Sequence, residues 1–351
     1  MAPRNATLDV AKGIGIILVV MGHGAFAQEP WVFRAIYAFH MPLFFVLAGV
    51  FVHDRAPMGR FAAVRAATLL KPYAVVLGAS ILASLVFEGG SAWHGALLRL
   101  TGVLYATGSS LAPWTPLWFL PHLFLGSLAL RSLVPVLADR EPWRTPVLAA
   151  LLILLGTRLL PRFHGPWLDP SGLGWVGLPW SLDLLPLTLG LMLIGQWLSQ
   201  TIQHVRFSLG PVLLAGTGFI LFLRTFGQTL DLSARNLGTV WVVLPQAALG
   251  ILLVLSLAEG LSRWTWSRRP LATLGAASLV ILLLHGWFQG HGHYHLATWV
   301  PDPTLRAVLA LGLGLLGPTA LWLGARRFRW LGMLLLPPAS GADRHRDSAG
   351  R

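Results

Sequence analysis

About ten stretches of this chain are apolar over nearly the length a helix needs to cross a bilayer, and few charges interrupt them. A helix rises about 1.5 Å per residue, so roughly 20 apolar residues cover the hydrocarbon core. The stretches lie near residues 9–27, 36–53, 73–89, 116–137, 146–160, 182–199, 208–224, 239–258, 271–289 and 304–324. Of 351 residues, 55% are hydrophobic and 11% charged. A soluble domain needs more charge than that to cover its surface, and a disordered chain is polar. The expected fold is an all-α integral membrane protein, a bundle of about ten transmembrane helices. Several stretches are short or broken by Gly and Pro, which a bundle tolerates where neighbours or a wet cavity satisfy the backbone. The first lacks the small-residue cleavage pattern of a signal peptide and reads as a retained span.

Lys and Arg number 26 against 13 Asp and Glu, a net charge of +13. In a soluble chain that excess would suggest nucleic acid. In a membrane protein it suggests an inner face rich in Lys and Arg. With the N-terminus placed in the cytoplasm, 18 of the 26 fall in the inner segments, including Arg55, Arg60, Arg65 and Lys71. Both termini are therefore expected in the cytoplasm, with no nucleic-acid partner. Residues 1–336 form the membrane domain and 337–351 a polar tail, expected to be disordered. The outer stretches 90–115 and 161–181 read as loops. Trp114, Trp118, Trp167, Trp175 and Trp180 cluster there, as an interfacial aromatic belt or a sugar-stacking lid. No internal repeat supports an inverted-repeat transporter.

Ionisable residues inside a span are costly and so are functional candidates. The first span, LDVAKGIGIILVVMGHG, carries Asp9, Lys12 and His23. At about 100° per residue all three share one stripe, with Lys12 and His23 roughly 16 Å apart along the axis. Asp9 and Lys12 then sit at the inner mouth and His23 in the outer half. His40 enters early in the second span from outside. His285 comes 14 residues after Leu271, much as His23 follows Val10 by 13. PLWFLPHLF places Trp118, Phe119 and His122 near the same level. His291, His293 and His295 alternate as metal ligands can, but read as a short outer loop with no partner cluster, and no metal is expected. GLGLLG at 312–317 reads as packing, and no nucleophile elbow or P-loop stands in a matching context.

LDVAKGIGIILVVMGH followed by FHMPLFFVLAGVF resembles the acyltransferase-3 family of membrane acyltransferases, in a branch similar to fucose 4-O-acetylases. PLWFL at 116–120 and SLVILLLH at 278–285 resemble two further family signatures, in the same order. The resemblance implies a ten-helix core over nearly the whole chain. It implies O-acyl, commonly O-acetyl, transfer from acetyl-CoA or another acyl-CoA. The acceptor would be a hydroxyl of a cell-surface carbohydrate or lipid-linked glycan, in the lipids of the inner (cell) membrane. It places the catalytic histidine at His23, with His40 and His285 at further motif positions. Lys12, with Asp9 beside it, becomes a candidate for the acyl-CoA end. Trp118, Phe119 and Asp183 become candidates for the substrate. Ala48 stands where the family often has Ser. With no cysteine in the chain, acyl transfer relies on histidine or on direct attack by the acceptor. The competing expectation is a polytopic transporter or flippase for a lipid-linked sugar.

Overall fold

A computed structural model describes residues 5–52, 57–87, 92–111, 114–138, 140–163, 174–204 and 206–337. The polar tail from 338, Trp167 and Arg55 lie outside them. Among the described residues the fold is all helix, apart from one isolated bridge between Asp231 and Asn236. The helices are α1 (Ala6–Gly22), α2 (Pro30–Tyr37), α3 (His40–Val50), α4 (Met58–Phe87), α5 (Ala92–Tyr105), α6 (Phe119–Ala138) and α7 (Arg144–Leu159). They continue as α8 (Leu185–Trp197), α9 (Ser199–Gln203), α10 (Leu209–Phe226), α11 (Val240–Ser262), α12 (Thr265–Leu296), α13 (Pro303–Arg327) and α14 (Arg329–Leu335).

Among the described residues, eight helical segments are long and apolar enough to cross a membrane. α1, with 17 residues, and α8, with 13, fall short of that length. Both are nonetheless interior helices, and with them every one of the ten expected stretches has a helix. Leu82, Leu104, Leu151, Leu214 and Leu316 point outward on the surrounding helices. Exposed leucines at such density suit a lipid solvent.

Four local expectations change. α4 begins at Met58 rather than near 73, because Arg60, Arg65 and Lys71 are good helix formers whose long stems reach the interface. Residues 92–105 are helix α5, not loop. The second span breaks at Ala38–Phe39, so His40 opens α3. α12 runs on to Leu296 and carries His291, His293 and His295 on a helix rather than a loop. Gly292 and Gly317 let it lie close against α13, where added Cβ atoms would meet Leu313 and Phe288.

The contact that sets the centre of the bundle is α1 on α12. A Cβ added at Gly13 would collide with the Leu271 carbonyl, and one at Gly275 with the Asp9 carbonyl. Small residues let two backbones approach where no hydrophobic effect drives helices together. Gly49 and Gly195 do the same for α3 against α8. Gly275→Val is expected to cost roughly 1–3 kcal/mol and to move His285 away from α1. Thermal unfolding in lipid nanodiscs reads the first effect. Melting identical to wild type would show that this contact carries no weight.

Candidate active site

α1 ends at Gly22, and His23 caps it, its backbone N–H donating to Val19 O at 3.1 Å. His23 therefore sits at the mouth of the helix rather than inside it, and its ring is exposed to a cavity of about 960 Å³. That volume lies at the upper end for a ligand site, where roughly 300–1,000 Å³ is common. The cavity wall runs from Lys12, Arg65 and Leu336 at one end, past His23, His40, Trp118 and Phe119, to Ser109, Val176, Asp231 and Ser233 at the other.

The α1–α12 contact brings the His285 ring to 5.7 Å from that of His23, centroid to centroid. His285 is buried, and its Nδ1–H is shared between Ile281 O and Leu282 O, both at 3.0 Å. Carbonyls only accept, so Nδ1 carries the proton of a neutral ring and Nε2 keeps a lone pair. That Nε2 is buried with no hydrogen-bond partner among the described residues. His40 is fixed in the same tautomer by Nδ1–H donation to Ile36 O at 2.9 Å. Tyr37 stands between them, its ring 6.3 Å from His23 and 4.7 Å from His40, its hydroxyl donating to Gly22 O at 3.2 Å.

The Lys12 end is cationic. Lys12 Nζ lies 3.9 Å from the centroid of the Phe51 ring, and Arg65 lines the same wall with Asp9. Lys71, nearly two helical turns further on, donates to Leu336 O at 2.8 Å, which holds the chain after α14 at this mouth. The opposite end is polar but acidic. Its wall comes from the 107–110 turn and from the 227–239 connection between α10 and α11. Burial pushes the Asp231 carboxyl above the usual carboxylate range, against the backbone N–H groups of Ala234 and Ser233 and the Arg235 cation.

Several of the residues singled out from sequence lie elsewhere. His122 is fully buried outside the cavity wall, bonded to Trp180 O at 3.2 Å and to Thr188 Oγ1 at 2.8 Å. Asp183 is bound by Arg235, Nε to Oδ2 at 3.0 Å and Nη2 to Oδ1 at 3.2 Å, and accepts Leu178 N–H at 2.9 Å. Both side chains of that pair are sealed from solvent. His291 and His295 face each other at 6.4 Å on α12, and no group of three metal-ligating side chains occurs among the described residues. The tryptophans divide: Trp118 belongs to the cavity wall, while Trp175 packs on Tyr105 and Trp180 donates to Leu104 O, tying α5 to the 174–184 segment.

Tyr37 and Asp231 emerge only in three dimensions. A faint signal for Asp231 exists in LDLS at 230–233, where buried Leu230 and Leu232 alternate with cavity-facing Asp231 and Ser233.

Residues 5–323 match the acyltransferase-3 family, described as an acyltransferase domain. Over 56 residues the chain is 46% identical to the nodulation protein NolL of Sinorhizobium fredii (strain NBRC 101917 / NGR234). That alignment covers 13% of this chain and 15% of NolL. No solved structure matches the chain.

Proposed function

This chain belongs to the acyltransferase-3 family, and from that footing we propose that it is a membrane O-acyltransferase, moving an acetyl or other acyl group from acyl-CoA to a hydroxyl of a cell-surface carbohydrate or lipid-linked glycan. Its place is the inner membrane, with both termini in the cytoplasm. The observation that carries the reading is the cavity itself, cationic at one end, hydroxyl- and carboxylate-lined at the other, with the His23 ring open to it between them.

The chemistry needs a base for the acceptor hydroxyl, a positioned thioester and exclusion of water. His23 is the one we assign as base. Its neighbour His285 offers a lone pair at Nε2, close enough to accept an N–H from His23 after a small ring rotation. That hydrogen bond would orient His23 and steady the imidazolium that forms, so His285 is a positioning residue. The acceptor oxygen attacks the thioester carbonyl as its proton passes to His23. The tetrahedral intermediate then expels the thiolate, which takes that proton back, giving ester and free CoA thiol. His40 and Tyr37 complete the polar wall beside the reacting atoms, and Trp118 and Phe119 the apolar wall that keeps water out.

Lys12 and Arg65, with Asp9 between the helices, form the entry for the anionic donor. Removing both cations by Lys12→Ala with Arg65→Ala is expected to raise the donor KM by about tenfold or more, with acceptor KM unchanged. The reading as a whole is tested with purified protein and labelled acetyl-CoA. Label should pass to a glycan or glycolipid acceptor; a carrier for lipid-linked sugars would transfer none.

A further inference from the structure

The outer mouth of the cavity is built by a pinned hairpin, residues 228–239. Leu230 N–H donates to the Tyr37 carbonyl at 2.9 Å. Asp231 and Asn236 exchange backbone hydrogen bonds at 2.8 and 2.9 Å. Arg235, in the left-handed region at φ 57°, anchors the turn to Asp183 and to Ser181 Oγ at 3.1 Å. A Cβ at Gly108 would run into the Ser233 hydroxyl, so this glycine lets the hairpin tip lie against the 107–110 turn. With Leu230 and Leu232 buried in the core, the alternation along the chain turns Asp231 and Ser233 to the cavity.

The charges are partitioned by this arrangement. The hairpin's cation, Arg235, is buried and bonded to Asp183, Ser181 and the Ser233 carbonyl. The hairpin's carboxylate lines the cavity, with the hydroxyl-bearing Ser109, Thr115 and Ser233 on the same wall. Among the described residues of that wall, the Lys and Arg cations stand at the other end.

We propose that this hairpin is the acceptor-recognition element, and that Asp231 selects a neutral, polyhydroxylated sugar by accepting hydrogen bonds from its hydroxyls while repelling an anionic one. The inference rests on the acyl-transfer reading and deepens it by naming the acceptor class. A carboxylate accepts two hydroxyls at once, and bonds to an ionised acceptor are about twice as strong as neutral ones. A uronate or phosphorylated sugar would bring like charge to a partly desolvated group, which specificity uses as a repulsive element.

The test uses the full-length protein in nanodiscs with acetyl-CoA, and methyl fucoside and methyl glucuronoside as neutral and anionic probes. Asp231→Asn keeps a side-chain oxygen to accept Ala234 N–H at 3.0 Å, and the Asp231–Asn236 backbone bonds do not depend on the side chain. Wild type is expected to favour the fucoside. The variant should raise the fucoside KM by about tenfold and narrow the preference over glucuronoside by a similar factor. An unchanged fucoside KM and preference in the variant overturns the assignment of Asp231 while leaving acyl transfer intact. A wild type that acetylates the glucuronoside preferentially, or uses acetyl-CoA without accepting the fucoside, overturns the acceptor class. A wild type that neither transfers nor hydrolyses acetyl-CoA overturns the acyl-transfer reading itself.

Discussion

His23→Gln is expected to lower kcat for acyl transfer by about 10²–10⁴-fold, the usual worth of a positioned general base, while the KM values for donor and acceptor change little. His23 caps α1 through its backbone N–H, and its side chain is exposed to the cavity, so the ring's removal leaves the helix end and the core intact. Glutamine offers hydrogen bonds but cannot hold a proton in transit. Steady-state kinetics on the purified, normally folded variant give the answer, and wild-type kcat would remove His23 from the mechanism. The partner makes a sharper prediction. If His285 acts by orienting His23, then His23→Gln with His285→Gln should be no slower than His23→Gln alone, because the second loss works only through the first. Additive losses would show that His285 acts independently, as packing or as a second acid–base group.

Arg235→Met is expected to destabilise the protein by about 3–5 kcal/mol, the cost of stranding a buried carboxylate. Four bonds from one guanidinium hold Asp183, Ser181 and the Ser233 carbonyl, with both side chains of the ion pair fully sealed. The latch also restrains local strain. Trp180 and Ser181 both take left-handed backbone angles, φ 56° and 55°, at a typical cost of about 1–3 kcal/mol each. Asp183→Asn in the Arg235→Met background should recover part of the loss, since it removes the stranded charge. Arg235→Lys should keep the charge paired but still fall short of wild type, because one ammonium cannot reproduce the planar fork. Thermal unfolding in nanodiscs measures all three. If Arg235→Met melts with wild type, the pair is dispensable and the outer hairpin is held by its other contacts.

The histidines show how far the sequence could be read. Matching the count from Val10 to His23 with that from Leu271 to His285 put both rings at one depth, and they do meet, at 5.7 Å. The same kind of count put His122 at that depth too, yet it turns from the cavity to Thr188 and the Trp180 carbonyl. Depth follows from rise per residue, which is local. Facing follows from helix rotation, which is set by neighbours. Asp183 makes the same point, since its motif position says nothing of Arg235, 52 residues away.

The amino-acid sequence determined the class of fold, the apolar stretches that become its helices, and the stripe that carries Asp9, Lys12 and His23. All of these depend on composition and on helical period, which each segment carries within itself. The tertiary structure decided which histidines share a cavity, that Asp183 belongs to a buried latch, and that Asp231 rather than Arg235 faces the outer mouth. Those outcomes depend on glycine-mediated approaches such as Gly13 to Leu271 and Gly108 to Ser233, and on pairings between residues far apart in the chain. No local period encodes such contacts, so only the packed bundle could reveal them.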